Sequence, residues 1–263
     1  MAIKPRVFVT VRKAKRPMRA KSPYIDGCFE AMGVMGSVYI NSQIPSSSGL
    51  GSSAAVTVAT LSAINDEFEL KKTRDEIAEI AYGIEKTVQK GRASPTDTTV
   101  STYGGIVLIT GGARRRLPPT NLHLVVGDSL VSHSTARMVE QVSELKKKNP
   151  SVVDPVLDAI EGVSMSAIHQ LNNPKELGRY MNMNHSLLEV LGVGHPQLSR
   201  MVLASRNAGA FGAKITGAGG GGCMVALCPK QLKHRVAAAI ESCEARAIVT
   251  GIDTEGVRKE KNV

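Results

Sequence analysis

Two glycine-rich stretches and two isolated acids are the residues of this sequence whose types and spacing could do chemistry. The first stretch, residues 44–56, reads IPSSSGLGSSAAV. Gly49 and Gly51 let the main chain turn tightly and approach a ligand with no Cβ in the way. Ser52 and Ser53 then stand where an Ala-rich helix is expected to begin, with Ala54 in its first turn. A helix start offers unpaired backbone N–H groups and the positive end of the helix dipole, which suits phosphate. The serine hydroxyls add donors, and a serine oxygen is also able to ligate Mg²⁺. The plainer reading is a Ser-capped helix after a flexible turn. A Walker A loop is excluded, because the Gly-Lys-Ser/Thr ending is missing.

The second stretch, residues 214–222, reads KITGAGGGG and places five glycines in six positions. Ordering that many glycines is entropically costly, so a strand connection rarely uses them for turning alone. They fit a backbone that must pass close to a ligand or to another part of the chain. A dinucleotide fingerprint is not expected, because no helix directly follows the run. The two acids are Glu85, near the end of an amphipathic segment, and Asp97, in GRASPTDTT after Pro95. By spacing alone Glu85 reads as a solvated helix residue, and Asp97 as a turn aspartate bonding its own backbone. Only the combination of all these motifs lifts the two acids above those readings.

Composition narrows the classes. The chain has 263 residues, 42% of them hydrophobic and 21% charged, which suits one large or two small globular domains. No apolar run approaches the roughly 18 residues of a membrane span. The opening MAIKPRVFVTVRKAKR lacks the apolar core of a signal peptide, and a cytoplasmic protein is expected. The cysteines Cys28, Cys223, Cys228 and Cys243 fit neither a zinc site nor a disulfide framework. The formal charge of +10 suits anionic substrates. Aromatic residues make up only 3% and tryptophan is absent, so base-stacking platforms are poorly supplied and neither nucleic acid nor membrane is expected as a partner.

The elements that must position these residues alternate irregularly. Strands are expected at 6–12 and 36–42, and helices from Pro23 to about Gly33 and over 52–67. A further helix over 73–90 has Thr73 and Glu76 as a capping-box pair and Ile77, Ile80, Ala81, Ile84 and Val88 on one face. A loop over 91–98 precedes a buried strand at GGIVLIT and another at LHLVVGD. Helices are expected from Ser134 to about 209, with Pro150, Pro155, Pro174 and Pro196 near helix starts. Two strands then flank the glycine run, and a helix over 229–242 and a strand over 245–249 close the chain. Without a regular βαβ repeat the pattern predicts an α+β fold.

IPSSSGLGSSAAV resembles the phosphate-loop motif of GHMP kinases, and KITGAGGGGC resembles that family's C-terminal glycine motif. GRASPTDTTVSTYGG is similar to the segment carrying the catalytic aspartate in the family's archaeal mevalonate kinases. The resemblance runs from about residue 6 to the end. It implies a two-lobed α+β fold with ATP and substrate bound between the lobes, here an N-terminal lobe over 1–130 and a C-terminal lobe over 131–263. It implies ATP-dependent phosphorylation of mevalonate in isoprenoid synthesis, with Mg²⁺ and by a homodimer. Asp97 matches the general base, and Ser52 or Ser53 with Glu85 matches the metal ligands. Pro45, Ser48, Gly49, Leu50, Gly51, Ser52, Ser53 and Ala54 match the nucleotide loop, and Thr216, Gly217, Ala218, Gly219 and Gly220 the supporting glycine motif. The spacing from Glu85 to the aspartate segment is one residue longer than the family pattern, with Lys90 the extra.

The family also opens with a first strand bearing Pro-Gly-Lys, followed in mevalonate kinases by Gly-Glu-His. Met1 falls at what resembles the strand after that region, with Lys4 or Arg6 as the candidate replacements for the lysine. Without these groups the expectation is weak Mg-ATP binding and little turnover. Another GHMP small-molecule kinase (acting on phosphomevalonate, homoserine or a sugar) and an ATP-binding protein without turnover are the alternatives.

Overall fold

The structure is a computed structural model that describes residues 1–14, 22–45, 49–91, 93–111, 113–132 and 134–260. The chain divides into two compact units. The first comprises Met1–Ser46, Gly51–Pro119 and Ile252–Val263; the second comprises Ser47–Leu50 and Thr120–Gly251.

In the first unit, β1 (Val7–Lys13) pairs antiparallel with β2 (Gly36–Ser42), Val11 opposite Val38. Both strands alternate, with β-branched residues suited to a half-buried pleat. Helices α1 (Pro23–Met32), α2 (Ser52–Phe68) and α3 (Arg74–Val88) supply most of the core. Cys28, Val58, Leu61, Ile64, Ile77, Ala81 and Ile84 pack together there with Val11. The capping box of α3 forms as its spacing predicts: the Thr73 hydroxyl accepts from the Glu76 N–H while the Glu76 carboxylate accepts from the Thr73 N–H at 2.8 Å.

Three local readings are corrected. The expected loop over 91–98 ends in a helix, α4 (Thr96–Tyr103), which places Asp97 in its first turn. Its sequence, TDTTVSTY, is rich in β-branched residues of modest helix propensity and hides the element. GGIVLIT does yield a strand, β3 (Val107–Thr110), but only partly buried, because it pairs solely with the exposed β4 (Ala113–Arg116) in a hairpin. Pro150, Pro174 and Pro196 each open a helix, whereas Pro155 lies inside one.

The second unit is built on an antiparallel sheet ordered β6 (Gly212–Ile215), β7 (Cys223–Leu227), β5 (His123–Asp128), β8 (Arg246–Gly251). Helices α8 (Pro196–Asn207) and α9 (Lys233–Glu241) cover it, with Leu198, Met201, Val236 and Ile240 fully buried against Val125, Ile215 and Met224. The outer edge of β6 does not stay open. Helix α7 (Pro174–Val190) lies on it, and Asn182 accepts from the Ala213 N–H at 3.0 Å while donating to the Phe211 carbonyl at 3.4 Å. The remaining helices, α5 (Thr135–Lys148) and α6 (Pro150–Ile168), pack on their neighbours with a single buried residue, Val153.

Candidate active site

In the first unit, Gly51 is the N-cap of α2 with φ +70°, a conformation that glycine adopts without steric cost. A Cβ placed on it would lie 3.1 Å from Cγ and 3.3 Å from Oδ2 of Asp97. The aspartate carboxyl therefore rests against the main chain at the start of α2, beside the first-turn N–H groups that point out of the helix. Ser52 and Ser53 occupy that turn, and Ala54 beneath them is fully buried.

Of the two serines, Ser53 is the one joined to Glu85: its hydroxyl donates to Oε1 at 2.7 Å. Glu85 is not a solvated helix residue; it is 3% exposed, on the face of α3 that carries Ile77, Ala81 and Ile84. Burial raises its pKa, the Ser53 hydrogen bond opposes that rise, and the nearby charge of Asp97 adds to it. Asp97 remains accessible to solvent. Its pKa is also raised, by the protein packed around the carboxyl. The added residue Lys90 sits at φ +52°, where the chain turns out of α3.

This donor set fits a hard divalent cation. Glu85 is a buried carboxylate whose pairing partner is a neutral hydroxyl, and among the described residues no cation pairs with it. No group of three or more His, Cys, Asp or Glu side chains able to hold a metal gathers among the described residues. Mg²⁺ bound with a nucleotide needs no such cage, since it uses one or two carboxylates plus phosphate oxygens and water.

In the second unit the two glycine stretches meet. Gly217, at φ +75°, packs so closely on Gly49 that a Cβ would lie 2.9 Å from the Gly49 carbonyl oxygen and 3.2 Å from its Cα. The rest of the glycine segment is tied down by main-chain bonds. Thr216 donates to Cys223, Gly220 to Val193 at 2.9 Å, and Gly222 to Val131 at 2.9 Å. It is thus a fixed loop rather than a linker. Of the expected site residues, Ser48 lies outside the described residues, and Pro45 precedes the loop after the buried Ile44.

Lys214 opens the glycine stretch, and the motif by itself gives it no role. The structure buries its ammonium, which donates to the Ile215 carbonyl at 2.8 Å, and burial lowers its pKa to about 8. Strand alternation around the glycine run was the available signal, since Lys214 stands between the buried Ala213 and Ile215.

The fold, the loop and the acid pair define a class. The model of the GHMP kinases N terminal domain matches residues 12–105, and that of the GHMP kinases C terminal matches residues 164–245. This chain belongs to the GHMP kinase family. Within it, the chain is 44% identical over 230 residues to the mevalonate kinase of Thermococcus sibiricus, an alignment covering 85% of this chain and 68% of that one. It is 40% identical over 225 residues to the mevalonate kinase of Methanothermobacter thermautotrophicus, covering 82% and 73%. Among solved structures, Methanococcus jannaschii mevalonate kinase is similar at TM-score 0.72 and 30% identity, covering 88% of this chain and 74% of that one. The fold is also that of L. major mevalonate kinase in complex with R-mevalonate, at TM-score 0.84 and 23% identity over 96% of this chain and 87% of that one.

Proposed function

We propose that this chain transfers the γ-phosphoryl group of ATP to the primary alcohol of mevalonate, giving 5-phosphomevalonate for isoprenoid synthesis. The observation that carries the reading is Asp97 lying against Gly51 at the start of α2, in a chain whose relatives are mevalonate kinases. Asp97 accepts or orients the alcohol proton; burial raises its pKa and so makes it a better acceptor than a solvated aspartate. The first-turn amides of α2, with the hydroxyl of Ser52, hold phosphate oxygens in line, since phosphoryl transfer depends mainly on positioning and electrostatics. Ser53 and Glu85 are the residues that would hold Mg²⁺, which when bound offsets charge on the phosphate oxygens. In the second unit, Gly49 and Leu50, with Thr216, Gly217, Ala218, Gly219 and Gly220, take the nucleotide-binding role that the family motif implies.

The test is ADP release at fixed Mg-ATP with mevalonate, phosphomevalonate, homoserine, galactose and shikimate as acceptors. Mevalonate should give the highest kcat/KM, by about 100-fold or more over the other acceptors. Preference for another acceptor would reassign the substrate, and nucleotide binding without product would remove the kinase reading.

Two further properties belong to this proposal. A homodimer is proposed on the family resemblance alone. Analytical ultracentrifugation at micromolar concentration should show the dimer. A cytoplasmic location is supported by four free thiols, at Cys28, Cys223, Cys228 and Cys243. Among the described residues no helix is long and apolar enough to cross a membrane.

A further inference from the structure

Helix α4 has only eight residues, too few to be stable alone, yet it carries Asp97. The question is what holds it. Its first turn meets Gly51, and Thr98, Thr99, Val100 and Thr102 are buried. Its far end is gripped by residues 253–257, a segment about 150 positions away in sequence that belongs to the same unit. There the two backbones interlock. A Cβ on Gly104 would lie 2.4 Å from the Gly256 nitrogen, and one on Gly256 would lie 2.4 Å from the Thr102 carbonyl oxygen. The Val257 N–H donates to that same carbonyl at 3.3 Å, and the Gly105 N–H donates to the Asp253 carbonyl.

The segment is itself folded by one acid. The Asp253 carboxylate accepts the N–H groups of Gly256 at 2.8 Å and Glu255 at 3.1 Å. Its other oxygen pairs with the Arg6 guanidinium, which also donates to the Gly256 carbonyl at 3.1 Å. Arg74 of α3 donates to the Val257 carbonyl at 3.0 Å, and Arg116 to that of Thr254 at 3.3 Å. Cationic side chains from three places thus converge on one short piece of main chain. None of them touches Asp97, but Thr102 and Asp97 are joined by a rigid helix and lie about 7.5 Å apart along its axis.

We propose that residues 253–257 form a strap that positions Asp97, acting through the end of α4, and that Asp253 with Arg6 is the pair that sets it. The proposal rests on Asp97 being the base. A displacement of about 1 Å is enough to cost a positioned group some 100-fold in rate, so a strap that fixes α4 governs turnover without touching substrate. Asp253 and Gly256 are positioning residues.

The test uses the full chain and the variants Asp253→Asn, Gly256→Ala, Asp97→Asn and Asp97→Asn with Asp253→Asn. Asp253→Asn and Gly256→Ala should lower kcat by about 10- to 100-fold while the KM for ATP stays within about twofold. The double variant should turn over no more slowly than Asp97→Asn alone, because a displaced base that is already absent costs nothing further. A merely structural role would instead multiply the two losses, and that result overturns the strap while leaving the base intact. An Asp97→Asn variant that keeps more than about a tenth of kcat removes the base, and the strap's role with it. An arm that needs no turnover is hydrogen exchange. The amides of α4 should exchange at least about tenfold faster in Asp253→Asn, with those of α9 unchanged. Unchanged exchange in α4 also overturns the proposal. Should Gly256→Ala fail to fold, Asp253→Asn decides alone.

Discussion

Each unit gathers a cluster of ionisable side chains around a buried one, Glu85 in the first and His185 in the second, and the two clusters find different partners. In the first unit the group is acidic: Glu85, whose carboxylate among the described residues is bonded only by the Ser53 hydroxyl, and Asp97 close enough to raise its pKa further. In the second it is basic: Lys214, Arg206 and His185, around Glu189. Lys214 donates to the Ile215 carbonyl and Arg206 to the Ala213 carbonyl at 2.8 Å, and His185 Nε2 lies 3.5 Å from the Glu189 carboxylate. Burial leads the shift in every case, raising the acids and lowering the bases. The difference lies in what answers the buried charge. Protein carbonyls answer Lys214 and Arg206, and the Arg206 bond fastens α8 to β6, while His185 Nδ1 and Arg206 Nε stay buried with no hydrogen-bond partner among the described residues. Among the described residues the acids have a hydroxyl and each other, which suits the roles proposed for them toward a metal ion and a substrate proton.

The comparison breaks most visibly at Asp97. Asp97→Asn should lower kcat by about 10²- to 10⁴-fold with ATP affinity retained, measured by steady-state kinetics and nucleotide titration. A fall of less than about tenfold would place Asp97 with the structural groups.

Glu85→Gln should weaken the apparent Mg²⁺ affinity of ATP turnover by more than about tenfold. It should also make the ligand-free protein more heat-stable at neutral pH. With its folded pKa raised, Glu85 stabilises the fold fully only below its unfolded value near 4.3. That contribution is lost as pH rises through the folded pKa. Melts at pH 7.5 with and without Mg-ATP check both halves. A less stable ligand-free variant would mean that Glu85 is held for structure.

Lys214→Met sharpens the other side. A lysine titrating near 8 when folded and near 10.4 when unfolded carries its full burial cost below about pH 8. The cost is relieved as pH rises from there toward 10, because the unfolded chain then binds more protons. The variant should melt about 2–4 °C higher at pH 7, and the gap should close between pH 8 and 10. A gap that does not change with pH would assign the effect to packing.

The smallest effect belongs to charge left in water. Lys146 and Asp154 pair at 2.7 Å with both side chains about half exposed. Lys146→Ala should change stability by less than about 1 kcal/mol in urea unfolding and leave turnover unaltered.

The sequence by itself determined what is local. Amphipathic spacing and the Thr73–Glu76 box defined α3, alternation defined β1 and β2, and glycines with serines marked the loop before α2. Each signal is written in neighbours a few residues apart, where helix and strand periods and capping chemistry operate. Helix α4 was hidden because threonine and tyrosine are weak helix formers, and only burial against α2 and α3, with the grip of residues 253–257, makes the helix worth forming. Tertiary structure alone decided that Glu85 is dry, that Ser53 is the serine joined to it, and that Asp97 rests on Gly51. It alone set Gly49 against Gly217 and Asp253 beside Arg6, residues 168 and 247 positions apart. A residue's chemistry is printed in its type, but its pKa and its partner depend on what the rest of the chain removes from water around it.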